Sequence, residues 1–491
     1  MERKTNVTLV TISIFVATFM TAIEGTIVTT AMPTIVGSLH GIEIMNWVFS
    51  IYLLTNAMLT PIYGKLADKI GRKPVFLFGV LVFMIGSSLC GFSQDMMTLI
   101  IARGIQGVGA GAIMPVALTI IGDLYSIEKR AKLLGLTSAA WGIASVVGPL
   151  AGGFIVDTVG WHWIFFINIP IGIVLMGLIW YFLIEKKQVR ETKKTDILGS
   201  ISLMLVLLML LLAFQFLGDQ GVSGTVIGLF IGSILSLVLF IWAEKNAEDP
   251  VISLTLFTNR VFVVVNLVAA LVGGFLMGID VYIPMWMQGV LGMSAAIGGL
   301  VLAPLSILWM AGSFIAGRWM GKMSIHKLLF IGLTIIFAGG LGLVFMPIHA
   351  HFTWFLVISS ITGVGLGITF TTTTVGAQSS VPEDQLGVAT SFNTLARTIG
   401  QTIMVSVFGI LINSVTKQEL VEKQLTKDSD IMNKLVNPQT AKELPIDLLK
   451  PLREILYNGL HRVYFVGILL IIITLVLTIF MGKQGKGKVR N

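Results

Sequence analysis

The 491-residue sequence contains little charge and almost no cysteine. Asp, Glu, Lys and Arg make up 12% of the residues, apolar residues make up 55%, and the mean hydropathy is +0.91. This composition excludes an ordinary water-soluble domain, because soluble helices and strands alternate apolar residues with a polar face. Cys90 is the only cysteine, so the chain can form no internal disulfide and no thiolate metal cluster.

Motifs for nucleotide-driven or enzymatic chemistry are also missing. The sequence has no Gly-rich loop ending in Lys and Ser or Thr, and no soluble domain that could house an ATPase. The six histidines are scattered and form no zinc, haem or hydrolase pattern. We therefore expect a protein that is not an enzyme and that uses no cofactor, metal or ATP.

Long apolar segments are what the sequence has in abundance. A bilayer core of about 30 Å requires roughly 20 apolar residues per helix. Fourteen segments meet this requirement and predict an all-α membrane protein; they lie near 9–36, 46–66, 74–93, 97–123, 131–157, 161–184, 197–217, 223–243, 261–289, 295–321, 326–346, 352–378, 386–414 and 459–482.

The net charge of +8 and the pI near 9.4 reflect membrane topology rather than nucleic-acid binding. Lys and Arg concentrate in alternate loops, such as 65–73, 129–132 and 186–194. The short loops between them, such as 37–45 and 289–294, contain neither residue. Because cytoplasmic loops carry the positive excess, we expect both termini in the cytoplasm.

Two segments depart from the simple pattern of spans and short loops. Arg3 and Lys4 precede an apolar run like that of a signal peptide, but the run is too long and contains Glu24, so we interpret it as a retained first span. The long segment 415–458 mixes both charges on the outer side, where the positive-inside bias is weak for long loops. We predict an amphipathic extracellular hairpin or helix pair there.

The charged segment 185–196 separates six spans from the rest of the chain. A weak internal repeat supports a division into two halves. Gly64–Lys73 follows the second span of the first six, and Gly317–Lys322 occupies the corresponding position after the second span of the last six. We predict three regions: an N-terminal six-helix bundle over 1–184, a linker with two extra transmembrane helices over 185–260, and a C-terminal six-helix bundle over 261–491.

Five segments resemble motifs of the major facilitator superfamily. Gly64–Pro74 resembles its G-x-L-a-D-x-x-G-r-k loop motif, Leu99–Ala112 its fourth-span motif with Arg103 as the basic residue, and Gly142–Gly153 its fifth-span antiporter motif. Trp161–Pro170 and Glu24–Pro33 resemble the sixth and first spans of the fourteen-span drug:proton antiporters. In these two segments His162 replaces the usual Arg, Glu24 the usual Asp and Thr29 the usual Asn. The resemblance covers the first six spans by motif and the last six by span count alone.

The resemblance implies a fold and a function. The implied fold is two six-helix bundles with two inserted spans, which rock around a central cavity by alternating access. The implied function is efflux of lipophilic, often cationic compounds in exchange for protons across a bacterial plasma membrane. We expect small lipophilic substrates, protons as the coupling ion, no nucleic-acid partner and a monomer.

The loop motif can form a conformational lock. Gly64 and Gly71 permit a tight cytoplasmic turn, and Asp68 can pair with Arg72 or with a neighbouring helix N-terminus. An ordinary basic turn that serves only topology is the alternative.

The antiporter motif places small residues along span 5. Its members are Gly142, Gly148, Pro149, Gly152 and Gly153. The glycines allow another helix to approach closely, and Pro149 can bend the span. Helix packing with no role in transport direction explains the pattern equally well.

Charged residues inside spans are costly unless they are paired or hydrated, so they mark candidate functional sites. Glu24 lies about 22 Å into span 1, where apolar surroundings disfavour its charged form and favour proton exchange or cation binding. Its alternative is a buried structural carboxyl. Arg103 matches a motif residue credited with proton-transfer or gating roles, or it is a plain partner for Glu24.

The last six spans carry two further charges at membrane depth. Asn266, Gly273 and Asp280 recur every seven residues on span 9, so Asp280 either faces the cavity or lies close to the outer surface. Asn393, Arg397 and Gln401 form one polar stripe on span 13, and Arg397 either contacts substrate or is structural.

Polar and aromatic residues on several spans are candidates for a poorly specific cavity wall. For each one, lipid contact or core packing is the alternative. The candidates are Tyr52, Asn56, Trp141, Tyr282, Trp286, Asn393 and Arg397.

Two other functions remain open at this point. The same architecture could export a lipid, a siderophore or an anionic metabolite, with Arg103 or Arg397 meeting the anionic group. A non-transporting membrane sensor or scaffold would make segment 415–458 the working part.

Overall fold

The computed structural model describes residues 5–39, 44–125, 127–185, 196–293, 295–382, 385–423, 425, 430–436, 441 and 444–481, and these contain helices but no strand. The helices are α1 (Val7–Leu39), α2 (Met45–Ile70), α3 (Arg72–Gly91), α4 (Met96–Leu124), α5 (Ile127–Thr158), α6 (Trp163–Phe166), α7 (Asn168–Phe182), α8 (Ile197–Gln220), α9 (Gly224–Asn246), α10 (Arg260–Asp280), α11 (Tyr282–Met285), α12 (Ala295–Leu300), α13 (Ala303–Trp319), α14 (Ile325–Val344), α15 (Phe352–Ser379), α16 (Leu386–Glu422), α17 (Asp430–Val436) and α18 (Ile446–Phe480).

Short polar residues start several of these helices. Asp95 begins α4 with a capping box, in which its carboxylate accepts the Thr98 N–H at 2.8 Å. Asn259 begins α10 and accepts the Val261 N–H at 3.0 Å. Gly71 joins α2 to α3 with φ of 108°, a conformation that only glycine adopts without strain, so the loop motif turns where the sequence predicts.

Eleven helical stretches of the described residues are long and apolar enough to cross a membrane. Helix α2 is not among them, and it carries Lys65, Asp68 and Lys69 near its end. Helix α13 falls short because it has 17 residues. The predicted all-helical class is confirmed, whereas the predicted fourteen spans exceed the eleven stretches found by length and composition.

Two predicted spans are each divided into two helices in the structure. The sixth span is split into α6 and α7, and the tenth into α12 and α13. In the described part of segment 415–458, α16 continues to Glu422 and α18 begins at Ile446, which agrees with the helix-pair alternative of the prediction; its extracellular position stays a prediction. Asn458 on α18 donates to the Glu419 carboxylate on α16 at 2.9 Å, so polar side chains join the two extensions.

The helices pack around separate apolar cores. Two cores lie within residues 10–183, and a larger one is built from residues 203–481 together with Leu54 and Ala57. Helix α16 contacts α2 and α4, and α13 contacts α5, so these pairs join the first six predicted spans to the last six. Helix α8 contacts α2 and α16, which places the inserted pair beside this junction.

Candidate functional site

A completely buried ion pair lies among the helices of the first six spans. Glu24 on α1 and Arg103 on α4 are each exposed by 1% or less, and their charged atoms, Oε1 and an Nη, lie 2.7 Å apart. The structure therefore contains the Glu24–Arg103 pair that the sequence left as one alternative for Arg103. Because both charges have left water, the pair is stable only if its remaining hydrogen bonds are also satisfied.

Neighbouring helices supply these hydrogen bonds. Asn168 at the start of α7 donates to Glu24 Oε2 at 2.8 Å and to Ser87 on α3 at 3.0 Å. Arg103 donates to the Gln106 side chain at 2.7 Å and through Nε to the Val48 carbonyl at 3.2 Å. The cluster thus links α1, α2, α3, α4 and α7, so a change in the charge of Glu24 would be felt by five helices. We call Glu24, Arg103, Gln106, Asn168 and Ser87 the buried cluster.

Tyr52 covers the arginine of this cluster. Its ring lies 4.2 Å from the guanidinium carbon of Arg103 and the residue is buried. The contact is a cation–π interaction. Asn56, one turn further along α2, is half-buried, and its side-chain oxygen accepts the Thr60 hydroxyl at 3.3 Å. The structure therefore places Tyr52 in the buried cluster's wall rather than on an open cavity surface.

The loop motif forms a second charged site at the junction of α2 and α16. Asp68 accepts the N–H groups of Gly387 and Val388 at 3.3 and 3.0 Å, where the positive end of the α16 dipole lies. Arg72 holds Asp68 at 2.8 Å and Asp123 on α4 at 2.8 Å. We call these residues the lock, because Asp68 bridges the two sets of six spans.

Burial raises the pKa of Asp68 to about 6, although Arg72 and the two backbone donors lower it. Asp68 lies beyond the predicted end of span 2, on the side that the basic loops mark as cytoplasmic. Gly64 makes the close approach possible, since a Cβ there would overlap the Ser391 side chain of α16. Both glycines of the loop motif thus have a local steric reason.

The antiporter motif lies on α5, which is one continuous helix from Ile127 to Thr158. A Cβ on Gly148 would overlap the Thr26 hydroxyl of α1, half a turn from Glu24, whereas a Cβ on Gly153 would meet open space. Gly152 is buried. The surroundings of Gly142 and Pro149 lie outside the described part of the chain, so the predicted bend at Pro149 stays a prediction.

The charges of the last six spans are arranged differently. Asp280 at the end of α10 is half-buried, and no hydrogen bond or ion pair to its carboxylate occurs among the described residues. Arg397 on α16 is also half-buried, and its guanidinium lies 5.4 Å from the Phe370 ring without a carboxylate partner in the described chain. Phe370 in turn stacks on Trp309 of α13, with ring centres 5.1 Å apart and planes 9° from parallel.

The remaining cavity candidates lie in different places. Asn393 is buried and donates to Asn266 on α10 at 3.0 Å. Tyr282 is buried against Phe408, and Trp286 is fully buried in an aromatic cluster, so neither lines an accessible cavity in this conformation. The partners of Trp286 are Phe355, Tyr457, His461 and Tyr464. Trp141 is 44% exposed.

Several residues of these sites received no role from the sequence. Asn168 lies inside a quoted motif, and its position as a polar residue in an apolar run was the available signal. Ser87, Asp123 and Phe370 carry no such signal, because serine, a helix-end acid and phenylalanine are common in membrane helices. Their roles depend on which helices become neighbours.

Comparisons with known proteins identify the family. Residues 14–405 match the family model described as Major Facilitator Superfamily. The chain is 33% identical to the multidrug transporter protein MdtP of Bacillus subtilis, over 96% of this chain and 93% of that protein. It is 35% identical to multidrug resistance protein 3 of the same organism, over 96% of this chain and 95% of that protein.

A solved structure shares the fold. It is the crystal structure of a bacterial homologue of the human lysosomal transporter Spinster, inward-facing and unoccupied, with a TM-score of 0.61 at 16% identity over 96% of each chain. The chain is therefore a multi-pass membrane protein that belongs to the Major Facilitator Superfamily.

Proposed function

We propose that this protein exports lipophilic, cationic compounds across a bacterial plasma membrane in exchange for protons, by alternating access. The observation that carries the proposal is the Glu24–Arg103 pair, a carboxylate and a guanidinium at 2.7 Å that are sealed from solvent in the middle of a helix bundle. The two Bacillus relatives, which are named as multidrug proteins, support the drug-transport part.

The buried cluster is suited to couple a proton to helix packing. A proton on Glu24 removes the negative charge that compensates Arg103, and an uncompensated buried charge is strongly destabilising. The cluster then favours a rearrangement that hydrates or re-pairs Arg103. Because α1, α3, α4 and α7 all contribute to the cluster, such a rearrangement moves these helices together. Exchange of Glu24 between paired and protonated forms is the proposed coupling step.

Asp280 is the proposed contact for the cationic substrate. Its carboxylate is half-buried and lacks a partner among the described residues, so a cationic group can approach it without displacing an arginine. Glu24 is fully engaged in the same conformation and cannot bind a cation until Arg103 has moved. The two acids therefore have separate roles in the proposal, proton coupling at Glu24 and substrate binding at Asp280.

The lock controls which side of the junction is closed. While Asp68 caps α16 and Arg72 ties it to α4, the two sets of six spans are held together at the lock end. Opening at that end requires the carboxylate to leave the α16 N-terminus. We also propose that α2, α5 and the α12–α13 pair cross the bilayer, which gives fourteen spans and places both termini and the lock in the cytoplasm. The protein works as a monomer in this proposal.

Uptake of a cationic dye into inverted membrane vesicles, driven by a proton gradient, tests the function. The variants are Glu24→Gln and Asp280→Asn, with Glu244→Gln as the matched control. Glu244 is also a buried carboxylate, but it accepts the Val251 and Ile252 N–H groups away from the cluster.

We expect proton-driven uptake to be lost in Glu24→Gln, reduced at least tenfold in apparent affinity in Asp280→Asn, and retained in the control. Wild-type vesicles that accumulate no dye would overturn the drug-efflux proposal. Coupled uptake in Glu24→Gln at the wild-type rate would leave a transporter but remove Glu24 as its coupling site.

A further inference from the structure

Three side chains from three helices of the last six spans form a continuous stack. The Arg397 guanidinium of α16 lies over the Phe370 ring of α15, and that ring lies parallel to the Trp309 indole of α13. Phe370 is 5% exposed, whereas Arg397 and Trp309 are each half-buried. The stack thus combines a buried aromatic ring with a partly accessible cation and a partly accessible indole.

The cation of this stack lies at membrane depth without an anion among the described residues. Arg397 is ten residues beyond Gly387, where the lock contacts α16, so it lies about 15 Å along the helix from the lock. Its guanidinium makes no hydrogen bond or ion pair within the described chain. A cation at such depth costs several kcal/mol unless it is hydrated or paired. Arg103 on α4 meets this cost by pairing with Glu24.

The surrounding backbone makes room for Arg397. A Cβ on Gly273 of α10 would lie 3.0 Å from Arg397 Cγ, and a Cβ on Gly400 would overlap the Ala270 carbonyl. Helices α10 and α16 therefore approach each other closely at Gly273 and Gly400. The aliphatic part of the Arg397 side chain passes along this contact towards Phe370. Close packing holds the guanidinium over the aromatic face, so its position is determined before any ligand arrives.

We propose that Arg397, Phe370 and Trp309 form a subsite for an aromatic carboxylate, with the carboxylate on the guanidinium and the ring against the exposed part of the stack. A planar guanidinium binds a carboxylate through two parallel hydrogen bonds and can remain stacked on an aromatic face while it does so. Asp280 lies two turns further along α10 from Gly273, about 10 Å at 1.5 Å per residue. Arg397 and Asp280 therefore provide a cation and an anion at different heights on two neighbouring helices, which would accommodate aromatic anions and zwitterions as well as the cations proposed above. This inference rests on the proposed transport function and extends its substrate class.

Equilibrium binding to the purified full-length protein tests the subsite. The probes are 2-naphthoate, 2-naphthylmethanol and 2-naphthylmethylammonium, which share one ring system and differ in charge. We expect wild type to bind naphthoate at least tenfold more tightly than naphthylmethanol. Arg397→Gln should abolish this difference, Arg397→Lys should retain part of it, and Phe370→Leu should weaken naphthoate and naphthylmethanol alike.

The control variant is Arg260→Gln, which removes an exposed arginine at the start of α10 and should leave all three affinities unchanged. If the wild-type protein binds naphthylmethanol as tightly as naphthoate, or more tightly, the subsite proposal is wrong. This outcome does not depend on whether the Arg397 variants fold. If such a protein still accumulates cationic dye, the proposed transport function stands and only the subsite fails. Preferential naphthoate binding that persists in Arg397→Gln places the anion elsewhere and also overturns the proposal.

Discussion

Arg103 on α4 and Arg397 on α16 have opposite kinds of surroundings. Arg103 is enclosed with a carboxylate, an amide and a backbone carbonyl, and only 1% of it is exposed. Arg397 lies against an aromatic ring, is partly accessible and has no anion among the described residues. The first arrangement is complete within the protein, whereas the second leaves the charge available to water or a ligand. In the function proposed above, the first arrangement holds the charge pair for coupling and the second presents a charge to the substrate.

Replacement of Arg103 and of Arg397, each in its own variant, should give the largest difference in stability. Arg103→Gln leaves Glu24 as an uncompensated buried charge and should cost about 3–5 kcal/mol of stability. Arg397→Gln removes a charge that has no acidic partner among the described residues and should change stability by about 1 kcal/mol or less. Thermal unfolding of the purified variants measures both. The double variant Glu24→Gln with Arg103→Gln should recover much of the first loss, and equal losses in the two single variants would contradict the comparison.

The packing around Glu24 can be tested at the antiporter motif. Gly148→Ala forces a methyl group against Thr26 and should cost about 1–3 kcal/mol. Gly153→Ala on the same helix meets open space and should be neutral or stabilise by up to about 1 kcal/mol, because alanine favours the helix. Unfolding temperature and dye uptake are the measurements. A matching loss in Gly153→Ala would show that the motif does more than allow α1 to approach α5.

Protonation of a carboxylate usually weakens an ion pair, but a lower pH should favour the closed form of the lock. Asp68 has a pKa of about 6 when buried in the lock and an ordinary value of 3.8 when solvated, so the locked form binds its proton more tightly. Acidification therefore favours the locked form, by about tenfold between pH 7 and pH 5, and the effect levels off below about pH 4.

Labelling of Ser391→Cys by a maleimide, in a Cys90→Ser background, measures opening of the lock because Ser391 is covered by Gly64. The rate is compared with that of the same protein carrying Asp68→Asn, which cancels the intrinsic pH dependence of thiol labelling. The ratio of the two rates should fall on acidification. A rising ratio would mean that protonation of Asp68 opens the lock.

The smallest loss of stability is expected where paired charges are still in contact with water. Asp249, after α9, contacts Lys65 and lies 3.5 Å from Lys69, with about a fifth of each side chain exposed. Because solvent screens such pairs, Asp249→Asn should cost about 1 kcal/mol or less. Glu248→Gln, at an exposed neighbour, is the control for the change in net charge. A loss as large as that of Arg103→Gln would show that pairing matters regardless of burial.

The sequence was informative wherever a single segment carries its own signal. Apolar runs predicted helices, and the glycines of the loop motif predicted the turn at Gly71, because positive φ is a local property of the backbone. Span boundaries were less accurate. The charge pattern of segment 415–458 predicts a hairpin or a helix pair without choosing between them, and the structure shows that α16 and α18 continue into it as helices.

The site residues show the same distinction between local sequence signals and contacts that depend on the tertiary structure. Glu24, Arg103, Asp280 and Arg397 are recognisable from sequence because an ionisable residue inside an apolar run is costly and therefore conspicuous. Which of them are paired is not recognisable, since Glu24 and Arg103 are 79 positions apart and an apolar span does not reveal its neighbours. Trp286 illustrates the same limit: an aromatic residue can line a cavity or fill a core, and here it is completely buried.

The sequence by itself determined the helical membrane class, the resemblance to the Major Facilitator Superfamily and the inventory of charges at membrane depth, because hydropathy and motifs are properties of contiguous residues. Only the tertiary structure decided that Arg103 is neutralised by Glu24, while Arg397 stacks on Phe370 and meets no anion in the described part of the chain. The physical reason is that the cost of a charge in a low-dielectric interior depends on partners within a few ångströms. Those partners come from helices that are far apart in the chain.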